Sequence, residues 1–580
     1  MTDPFDTRRP ERQSAQPTIA EHLVHRLVAA GARHVFGVPG DYNLRFLDVI
    51  EAHPELEWVG NANELDAAYA ADGYARIRGF AVLVTTYGVG ELSAMNGLAG
   101  SFAESVPVLH IVGSPATPVQ RDGLPVHHSL LDGDPGHFTR ALDEVTCASS
   151  VLTAANAADE IDRVLASVFT EKRPGSISLP ADLVHHPIGP FEPEPALAHQ
   201  PVDEQQLAAF RERAAALFDG APRDGAPRGS VALLADHLAQ RQLVRAELDA
   251  VARIPGVGSA VTAPGKGVLD ETAPGFLGLY IGALSEEPVR AAVEGADVVI
   301  GAGLRLADLS SGGFTARLDP AKLIDLRDRH AVLAGESFPV GMAAALGVLR
   351  ELLTERAPLP AAASRPEPAQ VSEPVSDQVS EPLAGPLTQL SFWARMAGFV
   401  QSGDIIAADQ GTPFYGVATL PLPSGVDVVA QPLWASIGYA LPAVLGAQLA
   451  SEGRRRAILL IGDGSAQMTI QELGTLIRHG LDPVIFLLNN DGYTVERAIN
   501  GPTARYNDIA AWNWSLVPAA MGAAADTVVR RVVTGADLDQ ALSDCADNAG
   551  KLTFIEVVLD RMDLPALLAR TADAVANQNR

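Results

Sequence analysis

Short apolar runs, each closed by glycine or a polar turn, recur along this chain and alternate with stretches of helical period. The runs Ala81 to Thr86 and Val108 to Val112 are continuously apolar or nearly so, which predicts strands covered on both faces. Thr18 and Glu21 stand at capping-box spacing, with Ile19, Leu23 and Leu27 on one helical face, and Gly31 closes that helix. A strand from His34 to Val38 and a turn at Pro39-Gly40-Asp41 follow. Helical patterns cover Glu64 to Arg76 and Gly90 to Ala103. Strands alternating with helices predict an α/β fold with parallel sheets covered by helices.

The alternation returns more weakly between 230 and 355, with strands expected at Ser230 to Leu234, Gly258 to Thr262 and Ala296 to Gly301. The glycine turns Gly265-Lys266-Gly267 and Gly301-Ala302-Gly303 lack a full dinucleotide fingerprint, so no nucleotide is expected there. Residues 357–386 differ. They hold seven prolines and an imperfect repeat, Val371-Ser372-Glu373-Pro374 and Val379-Ser380-Glu381-Pro382, the mark of an extended linker. Beyond it, strands are expected at Ile405 to Ala408, Ala457 to Ile461 and Val484 to Leu488, and a helix at Ser436 to Ala450. The predicted order is a flexible stretch 1–16, an α/β domain 17–195, a middle domain 200–355, the linker 357–386 and a third α/β domain 387–580.

The length of 580 residues, 47% of them apolar, suits several cores of this kind. A net charge of −27 makes nucleic acid or an anionic membrane a poor partner. Two cysteines, Cys147 and Cys545, give neither a disulfide framework nor a zinc site. With no apolar signal core in residues 1–16 and no apolar run of membrane-spanning length, a soluble cytoplasmic protein is expected.

The sharpest chemical signal is Gly462-Asp463-Gly464-Ser465, directly after a predicted strand. Its glycines allow backbone N–H groups to face a phosphate, and a helix expected from about Thr469 would add its positive end. The strand Val484 to Leu488 delivers Asn489-Asn490 and Gly492 to the same sheet edge. Asp463, Asn490 and a nearby carbonyl would give three oxygen ligands. With a diphosphate and a water they would complete the octahedron that Mg²⁺ requires.

The stretch from Gly462 to Asn490 resembles the thiamine-diphosphate motif. The likeness extends to Gly37-Val38-Pro39-Gly40-Asp41-Tyr42-Asn43-Leu44, Asn63-Glu64-Leu65, His127-His128, Gln410-Gly411-Thr412 and Asn490-Asp491-Gly492-Tyr493-Thr494-Val495-Glu496. Together they are similar to the pyruvate and indolepyruvate decarboxylase branch of thiamine-diphosphate-dependent 2-keto acid decarboxylases. Residues 1–16 and the linker lie outside the likeness.

The resemblance implies a pyrimidine-binding domain, a middle domain and a diphosphate-binding domain. It also implies a homodimer or homotetramer with active sites at the subunit interface. Glu64 would bond N1′ of the aminopyrimidine. The carbonyl of Ala435 would accept from the 4′-amino group, and Ile437 would bend the cofactor. Most relatives have glycine at position 435, so alanine there reduces backbone freedom. Gln410, Gly411, Thr412, Gly464, Ser465 and Gly492 would complete the cofactor site, with Asp463, Asn490 and Gly492 on Mg²⁺. Asp41, His127, His128 and Glu496 would surround the reacting carbon and move its protons. Phe414, Val495 and Ile499 would line the substrate pocket. Val495 replaces the bulkier isoleucine of pyruvate-selective relatives, which tilts the substrate toward indolepyruvate, phenylpyruvate or branched-chain keto acids. The implied reaction is non-oxidative decarboxylation to an aldehyde and CO₂ through a carbanion-enamine. Pyruvate decarboxylation proper and acetolactate-synthase-like carboligation remain alternatives.

Overall fold

The computed structural model describes residues 16–188, 203–220, 229–357, 359 and 385–578. Residues 1–15 and 360–384, most of the expected flexible stretch and linker, lie outside the described residues. Three separate sheets form the scaffold. The first has six parallel strands in the order Glu57–Gly60, His34–Gly37, Ala81–Thr86, Val108–Ser114, Gly175–Pro180 and Ala148–Val151. Its central strands Ala81–Thr86 and Val108–Ser114 are buried at every position, as their largely apolar character predicts.

The third sheet repeats that order with Asp427–Val429, Ile405–Ala408, Ala457–Gly462, Val484–Asn489, Thr553–Val558 and Val528–Val532, again all parallel. In both sheets the direction of winding reverses between the first and third strands. Such a switch point opens a crevice at the carboxyl ends of the strands. In the first sheet this places the segments after Gly37 and Thr86 side by side, and in the third those after Ala408 and Gly462.

The middle sheet departs from a purely parallel arrangement. Strands Leu323–Leu326, Val298–Ala302, Val231–Ala235, Val257–Val261 and Phe276–Leu279 are parallel, but Ala331–Leu333 and Glu336–Phe338 add an antiparallel hairpin at one edge. The hairpin turns at Ala334 and Gly335, both at positive φ. Among the described residues no helix is long and apolar enough to cross a membrane.

The first and third domains share a core. The helix Glu64–Arg78 begins at the Asn63 cap, whose side chain accepts from the Asp66 N–H, and ends at Gly79 in the left-handed region. It crosses the helix Ala440–Ala450 closely enough that small residues are required. A Cβ on Gly73 would stand 2.2 Å from the Ala443 carbonyl oxygen, and one on Gly446 would stand 1.8 Å from that of Ala70. Tyr69, Tyr74, Tyr439, Val444 and Leu459 fill the surrounding core.

Candidate functional site

Two groups of side chains gather at the two switch points. At the first sheet, the turn after Gly37 carries Asp41. Its carboxylate lies 2.8 Å from His127 Nε2 and 4.0 Å from His128 Nε2. Tyr42 stacks on the His127 ring with centroids 5.0 Å apart, and its hydroxyl stands 3.4 Å from Nδ1. One ligand atom from each of Asp41, His127 and His128 fits within 4.8 Å of the others. His128 is held at φ 65°, and its carbonyl packs so tightly on Gly88 that a Cβ there would stand 1.9 Å from the oxygen.

Glu64 belongs to the same mouth. It is half-buried in the first turn of its helix. A Cβ on Gly90 would stand 3.2 Å from its Oε1 and equally close to Thr86, the residue that also backs Gly40. Burial raises the Glu64 carboxyl pKa above the ordinary range, partly offset by a backbone hydrogen bond. Glu91, which follows Gly90, caps the Gly88 N–H at 2.7 Å, and burial pushes its carboxyl up to about 7.

At the third sheet, Asp463 is the first residue of a helix, Asp463–Thr469, that starts directly at the strand end. The helix expected only from about Thr469 therefore begins six residues earlier, because Gly462 is still extended and the chain turns helical immediately after it. Asp463 Oδ1 accepts from the Gly464 N–H at 2.8 Å, and Oδ2 accepts from the Gly492 N–H at 3.0 Å. Burial pushes this carboxyl up to about 6 against those backbone hydrogen bonds. Asp491 precedes Gly492 at φ 59° and Gly492 itself lies at φ 120°.

The Asn490 side chain closes this group. Its Oδ1 stands 2.9 Å from the Gly492 carbonyl oxygen and 3.2 Å from Asp463 Oδ1. Three acceptors facing one another repel unless the amide turns over or a cation sits among them. Turned over, the amide would donate to both and accept from Thr494 Oγ1. As placed, the spacing matches adjacent ligands about 2.9 Å apart in an octahedron with Mg–O near ~2.1 Å. The donor set is all oxygen, as Mg²⁺ prefers, so these residues fit the ion.

The neighbouring strand end supplies Asp409, Gln410, Gly411 and Thr412. Gly411 takes φ 132° and caps the helix Thr412–Thr419, in which Thr412 is buried. Gln410 Oε1 is buried without a hydrogen-bond partner among the described residues. Gly464 lies under the Tyr493 ring, where a Cβ would stand 2.6 Å away. Asp409 is fully buried and accepts from the N–H groups of Gly438 at 3.1 Å and Ala440 at 2.8 Å, and it also bonds the Ser465 side chain. The sequence reading gave Asp409 no role. Its signal was available as a lone acid at the end of an apolar strand.

The helix expected at Ser436 to Ala450 starts later than its pattern implies, which leaves Ala435 and Ile437 both outside it. That helix begins at Ala440, and residues before it form a loop with Ala435 at φ 60° and Gly438 at φ 87°. Alanine thus adopts the backbone conformation that glycine adopts freely. Val495 is half-buried and lies 3.9 Å from a Cβ position on Gly411. Ile499 is also half-buried. Phe414 goes elsewhere: its ring is 4% exposed within the core of the third domain, while Val495 packs in a separate cluster with Tyr415, Leu567 and Leu568. The Glu496 side chain is exposed and makes no hydrogen bond or ion pair among the described residues. Within one chain, then, Asp41, Glu64, His127 and His128 are one group and Asp463, Asn490 and Gly492 another.

Comparison with known proteins places the two groups in different matched domains. The chain matches the models "Thiamine pyrophosphate enzyme, N-terminal TPP binding domain" over residues 17–139, the central domain over 228–354 and the C-terminal TPP binding domain over 417–557. It is 49% identical over 555 residues to an alpha-keto-acid decarboxylase of Mycobacterium avium (strain 104), covering 95% of each chain. The corresponding Mycobacterium leprae protein is 45% identical, covering 97% of this chain and 96% of its own. The fold resembles that of Rhodococcus jostii RHA1 thiamine diphosphate-dependent 4-hydroxybenzoylformate decarboxylase with a TM-score of 0.74 at 20% identity, over 94% of this chain and 99% of that one.

Proposed function

This chain belongs to the thiamine pyrophosphate enzymes, among the alpha-keto-acid decarboxylases, and from that premise we propose that it converts a 2-keto acid larger than pyruvate to an aldehyde and CO₂, using Mg²⁺ with the cofactor. The observation that carries this reading is the pairing of an Asp41–His127–His128 set with Glu64 at one switch point and the Asp463, Asn490 and Gly492 group at the other.

Thiamine diphosphate, when bound, supplies the electron sink that loss of CO₂ requires. Asp463, Asn490 and the Gly492 carbonyl would hold Mg²⁺. Gly411, Thr412, Gly464 and Ser465 would receive the diphosphate at two helix starts, with Gln410 beside them in the cofactor site. The Ala435 carbonyl and Ile437 would seat the aminopyrimidine, and Glu64 would exchange a proton with its ring. Burial favours a protonated Glu64, the form able to donate. Asp41, His127 and His128 would stabilise the oxygen of the reacting carbon and deliver the proton that replaces CO₂. Glu496, exposed on its own protomer, would join them.

We further propose a homodimer at least, in which the first domain of one protomer faces the third domain of its partner. Val89 and Leu92, beside the Glu64 mouth, and Trp434 and Met468, beside the Ala435 loop, are large apolar residues left 41–50% exposed on a single chain. We place the protein in the cytoplasm, since Cys147 and Cys545 are free thiols suited to a reducing compartment.

The preference for a larger substrate rests on Val495 beside Gly411. One methylene changes discrimination by about 1–3 kcal/mol, so a kcat/KM panel should rise from pyruvate to 2-ketoisocaproate, phenylpyruvate or indolepyruvate by roughly tenfold or more. No aldehyde from any of these with thiamine diphosphate and Mg²⁺ would reject the activity. Acetolactate in place of aldehyde from pyruvate would assign a carboligase instead.

A further inference from the structure

Ala435 sits in a conformation that disfavours side chains, and such strain persists only where the surroundings fix it. Here the surroundings come from the first domain of the same chain. Glu104, at the end of the helix Val89–Ala103, is buried, and its Oε1 accepts from the Leu433 N–H at 2.8 Å and the Trp434 N–H at 3.2 Å. Its Oε2 pairs with Arg76 at 3.0 Å. Arg76 also pairs with Asp72 at 2.5 Å and donates to the Ala430 carbonyl at 2.6 Å. Asp72 in turn accepts from the Tyr439 hydroxyl at 2.5 Å. One buried ion-pair network therefore touches the loop at 430, 433, 434 and 439.

A second contact holds the residue on the other side of Ala435. Ser436 Oγ lies 2.6 Å from the Tyr69 hydroxyl, and Asn96 Nδ2 donates to both oxygens at 2.9 and 3.1 Å. Asn96 Oδ1 accepts from the Trp434 indole N–H at 2.9 Å. The peptide at Ala435 is thus pinned from both sides by residues more than 300 positions away, none of which reaches the Asp463 group. The middle domain adds Arg241, which donates to the Glu104 backbone carbonyl at 3.3 Å.

We propose that Glu104, together with Asn96 and Tyr69, is a positioning set that holds the Ala435 carbonyl and Ile437 in cofactor-ready geometry. This rests on the reading that this loop seats the aminopyrimidine. The first domain then has two tasks. It presents Glu64 toward a partner's site, and it shapes the loop of its own.

The test uses the full chain with thiamine diphosphate and Mg²⁺, comparing wild type with Glu104→Ala, Glu104→Gln and Asn96→Ala. The readouts are calorimetric cofactor affinity, hydrogen exchange over residues 430–439, and kcat and KM. Loss of a supporting partner should weaken cofactor affinity by about 10–100-fold in Glu104→Ala and speed exchange at Leu433 and Trp434, while KM for the keto acid moves less than about twofold. Glu104→Gln keeps an acceptor for both N–H groups and should recover most of the affinity. Asn96→Ala, at an exposed position, should lose affinity severalfold and carries the test if Glu104→Ala does not fold. Cofactor affinity and loop exchange at wild-type levels in Asn96→Ala, or in folded Glu104→Ala, would overturn the positioning role alone. A wild-type protein that takes up no thiamine diphosphate would overturn the underlying reading and the proposal with it.

Discussion

Asp463 accepts a hydrogen bond from the Gly492 N–H at 3.0 Å and so ties together the ends of two neighbouring parallel strands. The contact fixes where the Gly492 carbonyl points relative to the carboxylate. Replacing Asp463 by alanine removes one of the oxygen ligands proposed for Mg²⁺ and frees the turn. Affinity for Mg²⁺ with thiamine diphosphate should fall by about 100-fold, read by calorimetry. Asp463→Asn keeps an acceptor for the N–H but loses the charge, and should fall between. Wild-type affinity in the alanine variant would remove Asp463 from the ligand set.

Glu64→Gln tests a different atom. Glutamine preserves volume and can still hydrogen-bond, but it cannot exchange a proton with the ring. Cofactor affinity should stay within a few-fold, while kcat drops by roughly 10²–10⁴, the usual weight of a proton-transfer group. Near-normal turnover would show that the raised carboxyl has only a capping role at its helix start.

Asp41→Asn keeps the shape of the side chain beside His127 while removing its charge. The 2.8 Å contact then no longer includes a carboxylate. Aldehyde formation should slow by about 10²-fold at saturating substrate, with cofactor binding unchanged. Equal loss of cofactor affinity would instead assign Asp41 to binding.

Much of this arrangement was legible in the chain because its signals are local. The strands Ala81–Thr86 and Ile405–Ala408 match their expected limits, since each is an apolar run closed by a turn. The Thr18–Glu21 capping box forms as its spacing implies. What was hidden depends on distant partners. Residues 436–439 read as the start of a helix, yet Glu104, Tyr69 and Asn96 hold the segment up to Tyr439 as a loop. No pattern within the loop announces those residues. Phe414 shows the same limit from the other direction. Its place in a motif suggested a pocket, but the helix Thr412–Thr419 turns it into the core.

Asp66 gives a prediction for pH. It is fully buried, and burial first, then the charge of Glu472, push its carboxyl up to about 8. Its Oδ2 accepts from Asn63 and Gln471 at 2.9 and 2.8 Å, but Oδ1 has no partner among the described residues. An acid whose folded pKa is raised binds its proton more tightly when folded. Its contribution therefore turns unfavourable as pH rises from the ordinary carboxylate range through about 8. Asp66→Asn removes this dependence. The unfolding temperature of the variant relative to wild type should rise between pH 6 and pH 9, measured by calorimetry. A constant difference across that range would show that Asp66 is ionised throughout.

The proposed subunit arrangement makes the last prediction. If each active site takes Glu64 from one protomer and Asp463 from its partner, the two inactivating substitutions should complement. In a mixed dimer of Glu64→Gln and Asp463→Ala chains, one site carries both defects and the other carries neither. Random reassociation gives mixed dimers in about half of the population, so roughly a quarter of wild-type activity should return. Each variant alone stays inactive, which makes the gain easy to see. If both residues instead came from the same chain, every site in the mixture would hold one defect. Mixing would then restore nothing, even when light scattering shows that the protomers have exchanged.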